Sequence, residues 1–399
     1  MNRQQHASRH ATHIRILAGR LDRGAGSHVY HYQLARQLAM RGYEVSVMAF
    51  HSEHAPLPEV AIQSVRIPNF SNLPVVWRYA SVLRHWYCGR EMRTSQAGVP
   101  DVVIGGEHLW LKGSRRRFPD VPWIYLPHSL TVRDEIENSG LEGAQRDATL
   151  RVYQRIQSWA LSTADCILRF TKAGCRSLKS EYPNVAFSPL VVNDIGIDVP
   201  EVGIRTESNG PLRLLIVGQL IFRKGIDLAL DCLAQLKETP WVLTIVGDGG
   251  EREALERQVS RLGLDDRVLF AGPTDCPDEW YLQSDLLLFP SRSESLGLVA
   301  LEAMGHGTPC LAFKPNGTEF RTVSDEFMTH GQTGLLANST EEFTDILRSV
   351  VFERRKLLEF GRVARQEVLR RYSWEAHLSR YEQIFEWLKL PPPRRTLTS

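Results

Sequence analysis

Short apolar runs alternate with amphipathic stretches along most of the chain, and this pattern predicts its elements. In the first half, apolar runs of strand length lie at 13–19, 44–50, 101–107, 123–127, 164–171 and 187–192. Between them, apolar residues recur at near-helical spacing over 27–41, 74–96 and 147–162. Strands that alternate with helices are typical of βα units around a parallel sheet. The first half is therefore predicted to be a doubly wound α/β domain.

The same alternation restarts in the second half, after a polar stretch at 196–211 that is rich in Gly and Pro. Apolar runs of strand length follow at 212–218, 241–249, 267–272, 285–290 and 308–313. A stretch without periodicity between two such series is typical of a linker. We therefore predict an α/β protein with two Rossmann-like, doubly wound parallel-sheet domains, 13–195 and 212–373, joined by residues 196–211.

The two ends of the chain carry different signals. Residues 1–12 are basic but contain no apolar core of a signal peptide, so we expect a flexible tail. Near the other end, 374–390 has large apolar residues at helical spacing, and Pro391 follows. Because an apolar face of that size is unfavourable in water, we expect this helix to cross back onto the N-terminal domain.

Composition narrows the class of protein. Hydrophobic residues make up 43% of the chain and charged residues 24%, a balance that excludes a disordered or fibrous protein. The formal net charge of +2 gives no reason to expect a nucleic-acid partner. The six cysteines lie far apart without a CxxC pair, as is typical of reduced thiols, and no apolar run approaches a membrane span. We expect a cytoplasmic protein.

One basic cluster, KGSRRR at 112–117, lies between Trp110 and Phe118. Such a cluster can contact an anionic lipid surface or an acidic acceptor, but each cation near a membrane contributes only about 1 kcal/mol. We slightly favour a solvated loop at 112–117 and keep a weak peripheral membrane contact as the alternative.

The strand-to-helix turns are the first place to look for a site, because ligands in parallel α/β sheets bind at the carboxyl ends of the strands. Gly218 ends a predicted strand, and Arg223 and Lys224 follow it just before a helix. Two cations at the positive end of a helix dipole are unfavourable unless an anion binds there. The alternative for this pair is a solvated surface position.

The next turn reads Gly247-Asp248-Gly249-Gly250. Glycines permit positive φ and a close approach of the backbone to a ligand. Taken alone, such a turn is more often only a turn.

A third turn has carboxylates at both ends. Glu294 precedes a predicted helix, and Glu302 lies two turns inside it. The backbone N–H groups of Leu296, Gly297 and Leu298 at the helix start can cradle a phosphate. The two carboxylates can then accept hydrogen bonds from sugars on either side of a diphosphate. The alternative is an amphipathic helix whose glutamates face water.

These turns together resemble a known family. The segment SESLGLVALEAM at 293–304 resembles the E-x7-E signature of the retaining GT-B glycosyltransferases of family 4 (glycosyl transferases group 1). RKG at 223–225, GDGG at 247–250, FAGPT at 270–274 and HGTPCLAF at 306–313 follow the family's order. In the first half, the loop Gly24-Ala25-Gly26, His128 after WIYLP and GID at 196–198 also resemble family elements.

The resemblance implies a GT-B architecture with two domains facing across a cleft. It also implies transfer of a sugar from a nucleoside diphosphate to an acceptor with retention at the anomeric carbon. A UDP-sugar is favoured as donor, with a GDP-sugar as the alternative. The partners would be the nucleotide sugar and a carbohydrate, natural-product or lipid-linked acceptor. Because the sequence contains no D-x-D, no metal and no other cofactor is expected.

The resemblance also assigns roles to residues. Arg223 and Lys224 would stabilise the leaving diphosphate, Glu302 would bind the ribose, Glu294 would bind the transferred sugar, and His128 would orient that sugar. For His128 the alternative is a capped histidine at a strand end. The predicted catalytic residues are His128, Arg223, Lys224 and Glu294. The predicted donor-binding residues are Gly24, Gly26, Gly218, Gly247, Asp248, Gly249, Leu296, Gly297, Leu298 and Glu302.

Two other classes of function stay open. A dinucleotide-binding oxidoreductase could use the Gly24–Gly26 loop, but Val29 stands at the third glycine position and no acid ends the second strand. Binding of labelled NAD would test it. A nucleotide-sugar epimerase, or a non-catalytic sugar-nucleotide-binding protein of the same architecture, differs from a transferase only in what happens to the bound donor.

Overall fold

The structure is a computed structural model of the chain. It describes residues 11–19, 21, 26–50, 57–65, 90, 98–127, 132, 143–201 and 210–391. Most of the expected tail at 1–12, most of the helix at 74–96 and residues 202–209 of the expected linker lie outside this range. The chain divides into two units, which we call unit 1 (Met1–Asn193 with Leu378–Ser399) and unit 2 (Asp194–His377).

Unit 1 is built on a parallel sheet of seven strands in the order β3-β2-β1-β4-β5-β6-β7. The strands are β1 (His13–Leu17), β2 (Glu44–Ala49), β3 (Val60–Ser64), β4 (Val102–Gly105), β5 (Trp123–Tyr125), β6 (Cys166–Arg169) and β7 (Leu190–Val192). The described helices before residue 194 are α1 (Gly26–Met40), α2 (His108–Arg117), α3 (Gly143–Thr163) and α4 (Lys172–Glu181). This strand order is that of a Rossmann-like, doubly wound sheet, as predicted.

The basic cluster at 112–117 is helical, which corrects the favoured solvated loop. It forms the second half of α2, and the flanking aromatic residues Trp110 and Phe118 are buried. The indole Nε1 of Trp110 donates a hydrogen bond to the backbone oxygen of Ala18 at 2.9 Å. Because both aromatic side chains belong to the core of unit 1, neither is available to contact a lipid surface.

Unit 2 is built on a parallel sheet of six strands in the order β10-β9-β8-β11-β12-β13. The strands are β8 (Leu212–Val217), β9 (Trp241–Val246), β10 (Val268–Gly272), β11 (Leu286–Phe289), β12 (Cys310–Phe313) and β13 (Leu335–Ala337). The helices are α5 (Ile226–Ala234), α6 (Arg252–Leu262), α7 (Asp278–Gln283), α8 (Leu298–Gly305), α9 (Ser324–Phe327), α10 (Thr340–Val350) and α11 (Arg354–Arg371). This is the second predicted Rossmann-like domain.

The strand order of unit 2 determines where a site can form. The chain leaves β8 toward β9 on one side, whereas β11, which pairs with β8 on the other side, leads to β12. The turns that follow β8 and β11 therefore diverge in opposite directions and leave a crevice at the carboxyl ends of these two strands. Arg223 and Lys224 lie in the first of these turns, and Glu294 lies in the second.

The last helix, α12 (Trp374–Trp387), is divided between the two units: it is part of unit 2 up to His377 and part of unit 1 from Leu378. In its first turn, which is part of unit 2, the Trp374 ring lies so close to Gly196 that a Cβ there would be 2.6 Å from it. From Leu378 onward the helix is part of unit 1, where the hydroxyls of Tyr381 and Tyr30 are 3.1 Å apart. None of the helices in the described part of the chain is long and apolar enough to cross a membrane.

Candidate active site

The turns after β8 and β9 meet backbone to backbone. Gly218 has φ 146° and Gly247 has φ 139°, a region that L side chains rarely adopt. The N–H of Gly218 donates to Val246 O at 2.9 Å, and a Cβ on Gly247 would overlap the carbonyl oxygen of Gly218. Both predicted donor-binding glycines are therefore required by the backbone itself, and they bring the two turns into contact.

Asp248 and Gly249 continue the second of these turns. The Asp248 carboxylate accepts the N–H of Gly249 at 2.8 Å, and its backbone oxygen accepts the N–H of Leu220 at 2.9 Å. A Cβ on Gly249 would lie 2.5 Å from the oxygen of Leu220. In the described structure the Asp248 side chain thus shapes its own turn, and Gly249 lets the turn lie against the loop that leaves β8.

A short 3-10 turn, Phe222–Lys224, carries the two predicted cations. It ends at Gly225, which has φ 65° and is the N-cap of α5. A Cβ on Gly225 would overlap the carbonyl oxygen of Pro290. The glycine therefore allows the turn after β8 to touch the loop after β11, which brings the cations to Glu294.

Both cations bind the same carboxylate oxygen. Lys224 Nζ lies 2.5 Å from Glu294 Oε2, and Arg223 Nη1 lies 3.5 Å from the same atom. The side chains of Lys224 and Glu294 are 15% and 13% exposed, whereas that of Arg223 is 40% exposed. Two positive charges face one negative charge, so the cluster keeps one uncompensated positive charge. Such a cluster favours an anion as its ligand.

The loop after β11 ends in a special helix start. Gly297 has φ 80°, and a Cβ there would lie 2.9 Å from the Phe327 ring. The helix α8 begins at Leu298, so Glu302 lies about one turn inside it rather than two. Ala300 and Leu301 are the first residues whose N–H groups donate to Gly297 O, at 3.0 and 3.1 Å. The N–H groups before them have no acceptor within the helix and can bind a phosphate.

A buried tyrosine donates a hydrogen bond to the carboxylate of Glu302. Tyr281, on α7, is fully buried, and its hydroxyl donates to Glu302 Oε2 at 2.8 Å. Burial raises the pKa of the Glu302 carboxyl above its ordinary value, and the hydrogen bond from Tyr281 opposes this rise. The fixed oxygen sets the direction of the carboxylate, whose second oxygen can accept a hydrogen bond from a ligand.

His306 completes this part of the site. Its Nδ1 donates to the backbone oxygen of Glu302 at 2.8 Å, and its Nε2 lies 3.2 Å from Asp278 Oδ1. The rings of His306 and Tyr281 are 5.1 Å apart. Tyr281 and Asp278 were not predicted from the sequence. His306 lies in the HGTP stretch. This stretch was named from the sequence as a family element, but no contact was predicted for His306.

The structure therefore brings together some of the predicted residues. Arg223, Lys224 and Glu294 form one cluster, and Glu302 lies on the helix that starts beside it. Gly26 is the first residue of α1 in unit 1. The two remaining predicted residues, Gly24 and His128, lie outside the described residues.

Comparisons with known proteins show the family of the chain. The model of Glycosyltransferase Family 4 matches residues 24–200, and that of Glycosyl transferases group 1 matches residues 203–367. The chain is 26% identical over 390 residues to glycogen synthase of Mycobacterium tuberculosis, covering 91% of this chain and 90% of the relative.

Two solved structures share the fold. Sucrose-phosphate synthase from Thermosynechococcus elongatus matches with a TM-score of 0.73 at 20% identity, over 95% of this chain and 99% of that one. HepE of Anabaena, in complex with UDP, matches with a TM-score of 0.68 at 19% identity, over 95% of this chain and 100% of that one. With two parallel Rossmann-like sheets and two family models that together match most of its length, the chain is a glycosyltransferase that belongs to the GT-B glycosyltransferases of family 4.

Proposed function

We propose that this enzyme transfers a sugar from a nucleoside-diphosphate sugar to an acceptor hydroxyl, with retention at the anomeric carbon. The supporting observation is the cluster of Arg223, Lys224 and Glu294 at the switch point of unit 2. A UDP-sugar is the favoured donor, since the solved structure of HepE, which shares the fold, is in complex with UDP. A GDP-sugar is the alternative.

The two cations would act on the leaving group. As the bond to the sugar breaks, the diphosphate gains negative charge, and cations already in place stabilise that charge without reorganisation. Lys224 is positioned by its contact with Glu294. One well-placed donor of this kind is worth about 2.7–4 kcal/mol in other enzymes. Because Arg223 and Lys224 can supply this charge, we propose that the reaction needs no metal.

The two glutamates would hold the sugars at either end of the diphosphate. Both contacts of Glu294 with the cations involve Oε2, and the described residues give Oε1 no hydrogen bond, so Oε1 can accept one from a hydroxyl of the transferred sugar. Glu302, oriented by Tyr281, would accept hydrogen bonds from the ribose. The N–H groups of Leu296, Gly297 and Leu298 would bind the phosphates between them.

Unit 1 would supply the remaining residues. Gly24 and Gly26 would form a loop whose N–H groups approach the donor, and His128 would orient the transferred sugar. The acceptor, bound by unit 1, would be a carbohydrate, a natural product or a lipid-linked molecule. These assignments rest on the family match over residues 24–200.

The test is a turnover assay with a panel of UDP-, GDP- and ADP-sugars and a set of acceptors from these classes. We expect a new glycoside whose anomeric configuration, read from the proton coupling in NMR, equals that of the donor. An inverted product would contradict retention. Conversion of the donor to its epimer without an acceptor would show an epimerase, and tight binding without any turnover would show a non-catalytic protein.

A further inference from the structure

The turn that carries Arg223 and Lys224 has a second charged pair beside it, formed by Arg292 and Asp227. Arg292 Nη1 donates to Asp227 Oδ1 at 2.7 Å, and Nη2 donates to Oδ2 at 2.5 Å. The same guanidinium donates to the backbone oxygen of Phe222 at 2.9 Å and lies over its ring, 4.1 Å from the centroid. These contacts use both terminal nitrogens of the Arg292 guanidinium and one of its flat faces.

The contacts of Arg292 enclose the two cations in the sequence. Phe222 comes directly before them, and Asp227 follows them in the first turn of α5. Arg292 itself comes from the loop after β11 that also carries Glu294. In addition, the backbone N–H of Arg292 donates to Arg223 O at 2.9 Å. One side chain therefore fastens both ends of the cationic turn to the loop of its carboxylate partner.

The pair of Arg292 and Asp227 has no net charge, and both terminal nitrogens of the guanidinium already donate to Asp227, so the pair does not resemble an anion site. The Arg292 side chain is 18% exposed and that of Asp227 is 33% exposed. The charge of Arg292 is balanced by a bidentate carboxylate, and Asp227 also lies favourably at the positive end of the α5 dipole. Since its charge is already compensated, the pair acts on a bound diphosphate only through the position of its neighbours.

We propose that Asp227 and Arg292 are a positioning pair that holds Arg223 and Lys224 at the leaving diphosphate, which rests on the proposed function. A shift of the cationic turn by a fraction of an ångström weakens its interaction with the charge that develops in the transition state. The pair is built for this because it is bidentate, stacked and joined to the loop of Glu294. It fixes a geometry rather than contributing charge.

The test is a double-mutant cycle in kcat between Arg292→Lys and Lys224→Ala. Lysine keeps the charge but cannot hold both oxygens of Asp227 and the oxygen of Phe222 together. In the native background we expect Arg292→Lys to lower kcat about tenfold, with little change in the Kd for UDP. In the Lys224→Ala background the same change should lower kcat by only about two- to threefold, because part of what it positions is absent. Asp227→Asn should behave like Arg292→Lys.

A matched control is the pair of Arg213 and Asp285, whose Nη2–Oδ1 distance is also 2.7 Å. It lies at the other ends of the same two strands, just where β8 and β11 begin. Arg213→Lys should lower the Tm about as much as Arg292→Lys and leave kcat unchanged.

Three results decide the proposal. A tenfold loss in both backgrounds, or equal losses of kcat in Arg213→Lys and Arg292→Lys, would show a merely structural pair and overturn it. A smaller loss in the Lys224→Ala background, with a normal Arg213→Lys variant, supports it. If the native enzyme transfers no sugar from any nucleotide sugar, the proposed function itself is overturned and this inference with it.

Discussion

Replacing Lys224 with alanine removes the better buried of the two cations at the switch point of unit 2. This change leaves the Glu294 carboxylate with Arg223, whose Nη1 is 3.5 Å from Oε2 and whose side chain is 40% exposed. The carboxylate keeps a partner, so the fold should tolerate the change. The loss should instead appear when negative charge develops on the diphosphate.

The size of that loss follows from charge and distance. Two unit charges about 4 Å apart attract by about 4 kcal/mol at an effective dielectric constant of about 20, which suits a side chain that is 15% exposed. The donor already carries negative charge in its ground state, so only the part that develops during bond breaking affects kcat. We expect kcat to fall by about 10²–10³, or about 2.7–4 kcal/mol, while the KM for the donor rises about tenfold or less.

The assay is the initial rate of glycoside formation at a series of donor concentrations, together with calorimetric titration of UDP. Lys237→Ala is the control, because Lys237 is an exposed lysine of the same unit in the turn that follows α5. The control should match the native enzyme in both constants. A Lys224→Ala enzyme with near-native kcat and only a raised KM would refute the role in the transition state.

Three further predictions concern the same unit. Activity should survive EDTA, since the cations supply the charge, and a loss restored by Mg²⁺ or Mn²⁺ would contradict this. Tyr281→Phe should weaken UDP binding about tenfold, because the Glu302 carboxylate loses the hydrogen bond that orients it, and an unchanged Kd by calorimetry would be the contrary result. Glu302→Gln should weaken UDP binding and yet raise the Tm. Because burial raises the pKa of Glu302 in the folded protein, ionising this carboxyl destabilises the fold. The contribution of Glu302 to the free energy of unfolding is therefore fully present below the ordinary glutamate pKa and is lost as pH rises through the folded pKa. The gain in Tm, roughly 2–4 °C for each kcal/mol, should therefore be larger at pH 8 than at pH 5, and equal gains would contradict the burial argument.

The alternation of apolar runs and amphipathic stretches predicted eleven of the thirteen strands in the described part of the chain, because strands buried on both faces read as short continuous apolar runs. It missed β3 and β13, which each lie at an edge of their sheet. The ends of the strands were predicted less accurately than their positions in the sequence. The run at 123–127 forms a strand only over Trp123–Tyr125, and that at 187–192 only over Leu190–Val192. Both runs continue beyond the residues that pair with a neighbouring strand, and apolar character alone does not show where pairing stops.

The helix α2 shows where composition misled. The polar run KGSRRR favours a loop by its composition, but Trp110, Leu111, Ser114 and Phe118 are all buried at helical spacing. A narrow buried stripe is enough to place a helix on a sheet, even when most of its other residues are charged.

The site divides in the same way between local and long-range signals. Arg223, Lys224 and Glu294 were predicted because each lies in a turn after a strand, where a sequence pattern is visible. The contacts of Tyr281 with Glu302 and of Arg292 with Asp227 join residues from separate elements that are far apart in the sequence. No periodicity marks such a pair, because its distance depends on the strand order and on side-chain directions.

The net charge at the site has the opposite sign to the net charge of unit 2 as a whole. Acidic residues outnumber basic ones in unit 2, yet the turn after β8 presents two cations against one carboxylate. At physiological salt the exposed charges of the unit are screened beyond about 8 Å, whereas the contacts of Lys224 and Glu294 lie well within that distance. The net positive charge of this cluster therefore acts on an anion that binds at the turn itself. In the proposed function, the two backbone turns place these cations at the diphosphate, so the positive φ of Gly218 and Gly225 is as necessary as the charges.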